Sequence, residues 1–425
     1  MKTYQFKYGK GAVELALDET GVIAELHGND VSPIADIKEA LYASLDAPIE
    51  QVPLRAFAHG GDKVALVVSD MSRFWMRQDL VVPHLVRYLN EECCVPDEDI
   101  VIVIANGTHL GGSEAELREL VSDAIYDRVR VINHDCLAED LVYMGTTSRG
   151  TRVSINPEVA TRKVICLGAC TQHVMAGFGG GRKSILPGVS SLEAIRQNHA
   201  HSLDPLASRS NPLIGNGVLE HNPLHEDMCE AAAMVPELFI VNLVMNADMK
   251  LAALYSGHWL HAWECACRAA QAIYEVPITE QADVLITSAG GFPKDMSLYQ
   301  GSKTVDNVEP GLKIGGTLIL MIECCEGGGA AEYFDWLRPL KAGTLADSLR
   351  ANFTIPGYIF FLNCEQAQRY NILILSDINP EDVAPMGMRA FRDLDALMQA
   401  VDLQGKRVYV IPNGSTVIPK MQELL

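Results

Sequence analysis

The chain has 425 residues, of which 48% are apolar and 21% charged, the composition of a globular protein too long for one hydrophobic core. Its net charge of −20 comes without any block of lysine or arginine, and a field of that sign repels nucleic acids and anionic membranes. No run approaches the roughly 18 apolar residues of a membrane span, and the start, MKTYQFKYGKGAVELALDE, lacks the apolar stretch of a signal peptide. We therefore expect a cytoplasmic protein of two domains that binds neither nucleic acid nor membrane.

Three buried strands alternate with helices early in the chain. The segments KVALVVSD (63–70), DIVIVIANGTH (99–109) and KVICLGACTQH (163–173) are almost continuous in Val, Ile, Leu and Ala, as strands buried on both faces of a parallel sheet are. One intervening helix is expected to begin after Ser113, because Ser113 and Glu116 have the spacing of a capping box. The alternation predicts an α/β fold with mostly parallel sheets.

Each of these strands is followed by a polar side chain. Asp70 follows the first, His109 the second and His173 the third. Ligands of open α/β sheets bind at the carboxyl ends of the strands. Strand ends are polar in most proteins, so each residue alone has an ordinary explanation, but the three together favour a site.

A glycine-rich turn, AGFGGGRKS (176–184), comes directly after the third strand. Such a turn could hold a nucleoside triphosphate, attach another group covalently, or be a tight turn with two solvated charges. The phosphate-loop pattern G-x-x-x-x-G-K-[ST] requires glycine where this chain has Arg182, although Lys183 and Ser184 fit. A side chain at that position would crowd the amides that bind phosphates, which argues against the triphosphate loop.

Two further histidines lie in predicted helices beyond this turn. A helix is expected to open at Ser190 or Ser191, with Ser190 and Glu193 at capping-box spacing, and His199 lies late in it. His225 lies early in the next helix. Both are candidate metal ligands, but a lone histidine is more often packed or solvated than bound to a metal.

The alternation of strands and helices begins again near residue 281. The segment 255–278 resembles a helix followed by a linker ending at Pro277, which predicts domains at 1–277 and 278–425. The strands expected in the second domain are 282–291, 315–324, 371–377 and 407–414.

The second domain opens with a polar segment around residue 300. Tyr299 and Lys303 are four residues apart and would share a helical face, with Gln300 beside them. An amphipathic helix with a lysine reaching for solvent explains this pattern equally well. An active site in the cleft between the two domains would draw on these side chains.

Five segments, taken in order, resemble the nickel-dependent lactate racemase family, whose members use a nickel-pincer nucleotide. None is decisive alone, but their order and spacing make the match specific. They are SDMSRF (69–74), NGTH (106–109), QHVMAGFGGGRKSILPG (172–188), NH (198–199) and YQGSK (299–303).

The resemblance implies a cofactor on the glycine-rich turn. In the family, a pyridinium-3-thioamide-5-thiocarboxylate mononucleotide carrying nickel is joined to a lysine, which corresponds here to Lys183. A histidine supplies one nickel ligand, here His199, and square-planar nickel suits soft ligands with one imidazole. Dedicated maturation enzymes make this cofactor in the family. The further implied cofactor contacts are Asp70, Gly179, Gly180, Gly181 and Arg182.

The resemblance also implies racemisation or epimerisation of a 2-hydroxy acid. Hydride transfer to an electron-poor pyridinium avoids forming a carbanion beside a carboxylate, and the planar keto acid can take the hydride back on either face. Each enantiomer then needs its own acid/base group, and two histidines suit that task. The implied catalytic residues are His109, His173 and Lys303; those implied to bind substrate are Arg73, Tyr299, Gln300 and Lys303.

One departure from the family pattern lies beside the implied carboxylate clamp. The family typically has Asp-x-Thr-Arg-Pro, whereas here Arg73 is followed by Phe74 and Trp75. This departure puts lactate as the substrate in doubt more than it does the mechanism. The aromatic pair could face the pocket or pack against a neighbouring helix.

Two other functions stay open: a phosphate-loop NTPase or kinase using residues 177–184, and a non-catalytic nucleotide- or nickel-binding protein.

Overall fold

The computed structural model describes residues 1–422, which form two compact units. The central unit comprises Asp30–His201 and Leu213–Ile273. The terminal unit comprises Met1–Asn29, Ser202–Pro212 and the chain from Tyr274 onward. The last segment of the terminal unit begins at Tyr274, close to the predicted boundary at 277. The prediction of two uninterrupted domains, 1–277 and 278–425, differs from the observed units, because the terminal unit also contains the first 29 residues and Ser202–Pro212.

The first 29 residues account for most of that difference. The hairpin of Lys2–Tyr8 and Gly11–Leu17 buries Tyr4 and Phe6 in the core of the terminal unit. The strand Val22–Glu25 then pairs in parallel with Val408–Ile411 at the edge of that unit's sheet. Such pairing with the far end of the chain leaves no local sequence signal.

The central unit is built on a six-stranded sheet, of which one edge strand is antiparallel and the other strands are parallel. The three strands predicted from apolar runs are neighbours at its centre, where both faces are covered and every side chain from Val64 to Val68 is buried. In spatial order the strands are Leu251–His258, Leu238–Met245, Lys163–Ala169, Val64–Ser69, Ile100–Ala105 and Arg130–Asn133.

Helices cover this sheet, and polar caps set where several of them start. The predicted capping box of Ser113 and Glu116 is present, whereas the later helix is capped by Ser191, which accepts the amide of Ala194, and not by Ser190. The helices of the unit are Ile37–Asp46, Leu54–Phe57, Val82–Glu91, Glu114–Val121, Asp123–Tyr126, Pro157–Ala160, Leu192–Ala200, Pro223–Ala233 and His261–Tyr274. Two short hairpins are Val142–Thr146 with Arg152–Ile155 and Gln172–His173 with Gly177–Phe178.

The terminal unit has its own six-stranded sheet, which is parallel throughout. Its strands in spatial order are Arg389–Phe391, Asn371–Leu375, Leu312–Met321, Ala282–Ser288, Val408–Ile411 and Val22–Glu25. The linker predicted to end at Pro277 is instead part of the strand Glu275–Ile278, which pairs with Ile418–Met421. Its helices are Leu298–Gly301, Lys303–Val308, Leu337–Lys341, Leu345–Ala351, Ile355–Arg369, Pro380–Val383 and Leu394–Gln399. Both units are therefore α/β, as predicted.

Within residues 1–422, no helix combines the length and apolar character needed to cross a bilayer.

Candidate active site

The candidate site of the central unit lies at the carboxyl edge of its sheet. Asp70, His109 and His173 follow three adjacent parallel strands, so they emerge at the same edge. A cavity of about 260 Å³ opens beside Asp70 and is lined also by Asn106 and Leu110. A larger cavity, of about 350 Å³, lies in the terminal unit, at the amino-terminal edge of that unit's own sheet.

Asp70 holds His109 in a defined orientation. Its Oδ2 lies 2.5 Å from Nδ1 of His109, and its Oδ1 accepts the hydroxyl of Ser72 at 2.7 Å. Burial acts to raise the pKa of Asp70, but the hydrogen bond and charge of His109 outweigh it and the pKa is lowered. An ionised carboxylate can only accept, so Nδ1 of His109 carries a proton, and in the neutral ring Nε2 presents its lone pair.

Arg73 is tied to the same group of residues. It lies in the 3-10 helix Met71–Met76, and its Nη1 donates to Oγ of Ser72 at 2.9 Å. Because the same hydroxyl donates to Asp70, Ser72 links the guanidinium to the Asp70 carboxylate. Phe74 and Trp75 are partly buried and pack against the hydrophobic core of the central unit. Their placement favours the packing interpretation of this aromatic pair.

His173 contacts Lys183, the candidate attachment residue. Nζ of Lys183 lies 2.7 Å from Nε2 of His173. On the other side of the ring, the backbone amides of Met175 and Ala176 both donate to Nδ1 at 3.2 Å. The short hairpin of Gln172–His173 with Gly177–Phe178 makes this turn, so the glycine-rich segment folds back onto the histidine that precedes it.

Arg182, one of the implied cofactor contacts, makes extensive contacts within the protein. Its side chain is fully buried, and its guanidinium donates to the carbonyl oxygens of Phe178 at 2.9 Å and Ala176 at 2.6 Å. Its Nε donates to Nδ1 of His225 at 3.0 Å, and the ring of Trp263 lies 3.9 Å from Cζ. These contacts hold the turn from inside the protein.

Packing also explains two of the glycines that the resemblance implies as cofactor contacts. Gly180 and Gly181 have φ of 69° and 51°, a region that favours glycine. A Cβ at Gly181 would lie 2.6 Å from the ring of Trp263, and one at Gly180 would lie 2.9 Å from Oδ1 of Asn242. The turn thus approaches the fold too closely for side chains at either position.

His199 has the surroundings of a metal-ligating histidine. It is buried on the helix Leu192–Ala200, and its Nδ1 donates to the carbonyl oxygen of Ile195 at 3.0 Å, which leaves Nε2 unprotonated. Burial lowers its pKa to about 3, and a charge on Lys183 adds to the effect. Metal-bound histidines typically donate their second nitrogen to such a carbonyl. Within the described residues 1–422, no cluster of three His, Cys, Asp or Glu could hold a metal ion.

The three candidates in the terminal unit contact one another. Nζ of Lys303 donates to Oε1 of Gln300 at 2.8 Å and lies 4.4 Å from the ring centre of Tyr299. The predicted continuous helix is broken, because Leu298–Gly301 ends before Lys303–Val308 begins. Tyr299 and Lys303 are in contact although they lie on different helices.

Sequence reasoning missed the residues that support the glycine-rich turn. Trp263 donates its Nε1–H to the carbonyl oxygen of Gly179 at 2.8 Å, and Oδ1 of Asn242 accepts the amide of Gly181 at 3.0 Å. His225, considered as a metal ligand, accepts from Arg182 and stacks on Trp263. A buried polar residue in an apolar strand was a signal for Asn242, but nothing local indicated Trp263.

Comparison with known proteins identifies the family of this chain. The family model described as the lactate racemase N-terminal domain matches residues 8–210, and that described as the lactate racemase C-terminal domain matches 278–419. The chain therefore belongs to the lactate racemase family, a family of isomerases. It is 28% identical to the lactate racemase of Thermoanaerobacterium thermosaccharolyticum, covering 98% of this chain and 99% of the relative. It is also 28% identical to the lactate racemase of Lactiplantibacillus plantarum, covering 96% and 100%.

Solved structures give the same fold. The lactate racemase apoprotein from Thermoanaerobacterium thermosaccharolyticum superimposes with a TM-score of 0.88 at 26% identity, over 99% of this chain and 100% of that one. A Thermotoga maritima protein matches with a TM-score of 0.64 at 16% identity, over 91% of this chain and 97% of that one, which shows the fold alone.

Proposed function

We propose that this protein racemises or epimerises a 2-hydroxy acid, with His109 and His173 as its acid/base pair and a nickel-pincer nucleotide on Lys183. Membership of the lactate racemase family supports the reaction class. The observation that carries the site assignment is that both histidines emerge at one sheet edge, one held by Asp70 and the other in contact with Lys183.

The residues of the central unit fit such a cofactor. Lys183 presents an amine for covalent attachment, and His199 offers the unprotonated Nε2 of a neutral imidazole to nickel. When bound, the cofactor supplies an electron-poor ring that accepts hydride from the substrate carbon. Gly179, Gly180 and Gly181 hold the turn close to the sheet edge and so place Lys183 there. Maturation enzymes that deliver the cofactor are then required partners.

The two histidines divide the proton transfers between the enantiomers. His109 presents the Nε2 lone pair and can take the hydroxyl proton from one face of the substrate, while Asp70 stabilises the imidazolium that results. His173 serves the opposite enantiomer. A complete cycle needs both groups, because the proton removed on one face is returned on the other.

Charged side chains hold the substrate while its carbon is planar. Arg73 can bind a carboxylate through two parallel N–H bonds, a geometry that a lysine cannot supply. We assign Lys303, with Gln300 and Tyr299 beside it, to the substrate oxygens, where the ammonium stabilises negative charge as the hydroxyl loses its proton. Lactate, larger 2-hydroxy acids and sugar acids epimerised at C2 are all candidate substrates.

The test is a stereochemical assay on protein made with the maturation enzymes. Single enantiomers of lactate, malate, longer aliphatic and aryl hydroxy acids are incubated with the protein, and the products are separated by chiral chromatography. We expect at least one acid to racemise, and His109→Asn and His173→Asn each to abolish racemisation. Cofactor uptake without turnover of any acid would instead support a binding protein.

The phosphate-loop alternative makes a different prediction. A kinase or NTPase would bind ATP at residues 177–184, but the side chain of Arg182 points into the fold and its donors bind backbone carbonyl oxygens and His225. We therefore expect calorimetry with MgATP to show no binding.

A further inference from the structure

The helix Leu192–Ala200 carries the candidate nickel ligand His199 in its last turn. The imidazole is fixed relative to its own helix, because its Nδ1 donates to the carbonyl oxygen of Ile195 one turn earlier. The position of Nε2 in the central unit therefore depends on the contacts that anchor the helix. A helix of 9 residues is too short to be stable without such contacts.

The two ends of this helix are anchored in different ways. At its start, the backbone amide of Ser191 donates to the carbonyl oxygen of Ser154 at 2.8 Å. The amide of Leu192 donates to the carbonyl oxygen of Cys136 at 2.9 Å. The first segment of the central unit ends just beyond the helix, at residue 201, and at this end side chains provide the anchors.

Asn198, the residue before His199, provides two of these anchors. Its side chain is buried, and its Nδ2 donates to the carbonyl oxygen of Leu224 at 3.1 Å and to Oδ2 of Asp227 at 2.8 Å. Both acceptors belong to the helix Pro223–Ala233. The two hydrogen bonds thus tie the last turn of one helix to the first two turns of the other.

Asp227 is itself held by a hairpin turn. Its carboxylate is fully buried; Oδ1 accepts the hydroxyl of Thr147, and Oδ2 accepts that of Thr151 at 2.8 Å in addition to the amide of Asn198. Burying a carboxylate is costly, and apolar packing often joins two helices at less cost. Hydrogen bonds, however, fix distance and direction, which apolar contacts do not. The carboxylate therefore suits the exact placement of Asn198 better than it suits stability alone.

We propose that Asp227 is a positioning residue for nickel binding: by fixing Asn198, it sets the position from which His199 presents Nε2. This inference rests on the proposed function, in which His199 is a nickel ligand. Replacing a residue that orients a metal ligand typically weakens metal binding by about 10–100-fold. Asp227 acts through the helix and not on the imidazole itself, so we expect an effect of about tenfold.

The experiment measures how fast nickel leaves protein made with the maturation enzymes. Excess EDTA is added, and the nickel that stays with the protein after desalting is followed over time by inductively coupled plasma mass spectrometry. The intact mass of the same samples shows whether Lys183 keeps its modification. Neither measurement requires turnover of a substrate.

The first variant is Asp227→Asn, which keeps the size of the side chain. Its new amide N–H faces Nδ2 of Asn198, so two donors oppose each other and that hydrogen bond is lost. Turning over the amide of Asn198 does not repair this, because its oxygen would then face the carbonyl oxygen of Leu224. We expect nickel to be released about tenfold faster than from wild type, while the modification of Lys183 remains.

The matched control is Glu230→Gln. Glu230 lies on the same helix as Asp227 and accepts the amide and the hydroxyl of Ser148, which belongs to the same hairpin turn. The substitution removes the same charge and alters a contact of the same turn, but it leaves the hydrogen bonds of Asn198 in place. We expect nickel release within twofold of wild type.

A second pair of variants keeps the test decisive if Asp227→Asn fails to fold. Thr151→Val keeps the volume of the side chain but removes the hydroxyl that donates to Asp227, whereas Thr151→Ser keeps the hydroxyl and loses a methyl group. Packing and hydrogen bonding therefore predict opposite orders. We expect nickel to be released faster from Thr151→Val than from Thr151→Ser.

Equal nickel release from Asp227→Asn and Glu230→Gln would overturn the inference and leave the proposed function intact. The same holds if Thr151→Val releases nickel no faster than Thr151→Ser. Wild-type protein that takes up no nickel from a host with the maturation enzymes would contradict the proposed function, and the inference with it.

Discussion

Nδ1 of His109 lies 2.5 Å from Oδ2 of Asp70, an arrangement that fixes both the orientation and the tautomer of the imidazole. Asp70→Asn keeps the shape but can present an amide N–H to Nδ1, which favours the tautomer protonated at Nε2. We expect kcat to fall by about 10²–10⁴-fold, as for other histidine bases that lose their orienting carboxylate. Steady-state racemisation assays measure this, and a kcat within twofold of wild type would show that Asp70 does not orient the base.

Arg73 gives a prediction about substrate binding. Removing one partner of a charge-assisted pair costs about 2–5 kcal/mol, so Arg73→Ala should lower kcat/KM by roughly 30- to several-thousand-fold. Arg73→Lys should recover only part of this, because an ammonium cannot form the two parallel bonds. Arg77→Ala, which removes a nearby arginine paired with Asp79, is the matched control and should retain its kcat/KM. Equal losses at both positions would argue against a carboxylate clamp.

We predict that Arg182 stabilises the folded protein. Arg182→Lys leaves carbonyl oxygens and His225 without donors inside the fold, which should lower the free energy of unfolding by about 2–5 kcal/mol. Denaturant titration of the cofactor-free protein measures this directly. The same change at the exposed Arg392 should be close to neutral. A stable Arg182→Lys protein that fails to take up cofactor would instead support the binding role that the family resemblance implies for Arg182.

His225 links the stability of the turn to pH. Burial and the charge of Arg182 lower its pKa from 6.5 to about 3, so between these values the unfolded state binds a proton that the folded state does not. The free energy of unfolding therefore falls as the pH drops below 6.5, by about 1.4 kcal/mol per pH unit for this group.

His225→Asn keeps an oxygen to accept from Arg182 but cannot be protonated. We expect the stability of this variant, measured by denaturant titration between pH 6.5 and 4.5, to depend less steeply on pH than that of wild type. His199 contributes its own acid sensitivity to both proteins. Parallel stability curves for variant and wild type would contradict the buried, neutral His225.

Local sequence patterns predicted the elements that are determined by residues close together in the chain, such as buried strands and helix caps. The central strands were found because a strand buried on both faces must be apolar almost throughout, and the neighbouring parallel strands then brought Asp70 and His109 to one edge. The capping box of Ser113 and Glu116 was found for the same reason. The fold class follows from these elements.

Features that depend on long-range packing could not be predicted from local sequence patterns. The pairing of Val22–Glu25 with Val408–Ile411 joins the two ends of the chain and moves the first residues into the terminal unit. Arg182 stands in a glycine-rich turn, and its burial depends on Trp263 from a helix distant in sequence. The choice of Ser191 over Ser190 as helix cap also depends on tertiary contacts, since Oγ of Ser190 donates to the carbonyl oxygen of Ile185.

The most direct test of the account is the intact mass of the protein from a host that makes the cofactor, measured together with its nickel content. We predict a mass increase located by peptide mapping on Lys183, with about one nickel per modified chain, and neither in Lys183→Arg. Nickel should also be lost from His199→Ala while the mass increase on Lys183 remains. An unmodified mass without nickel in wild-type protein from that host would contradict the proposed cofactor.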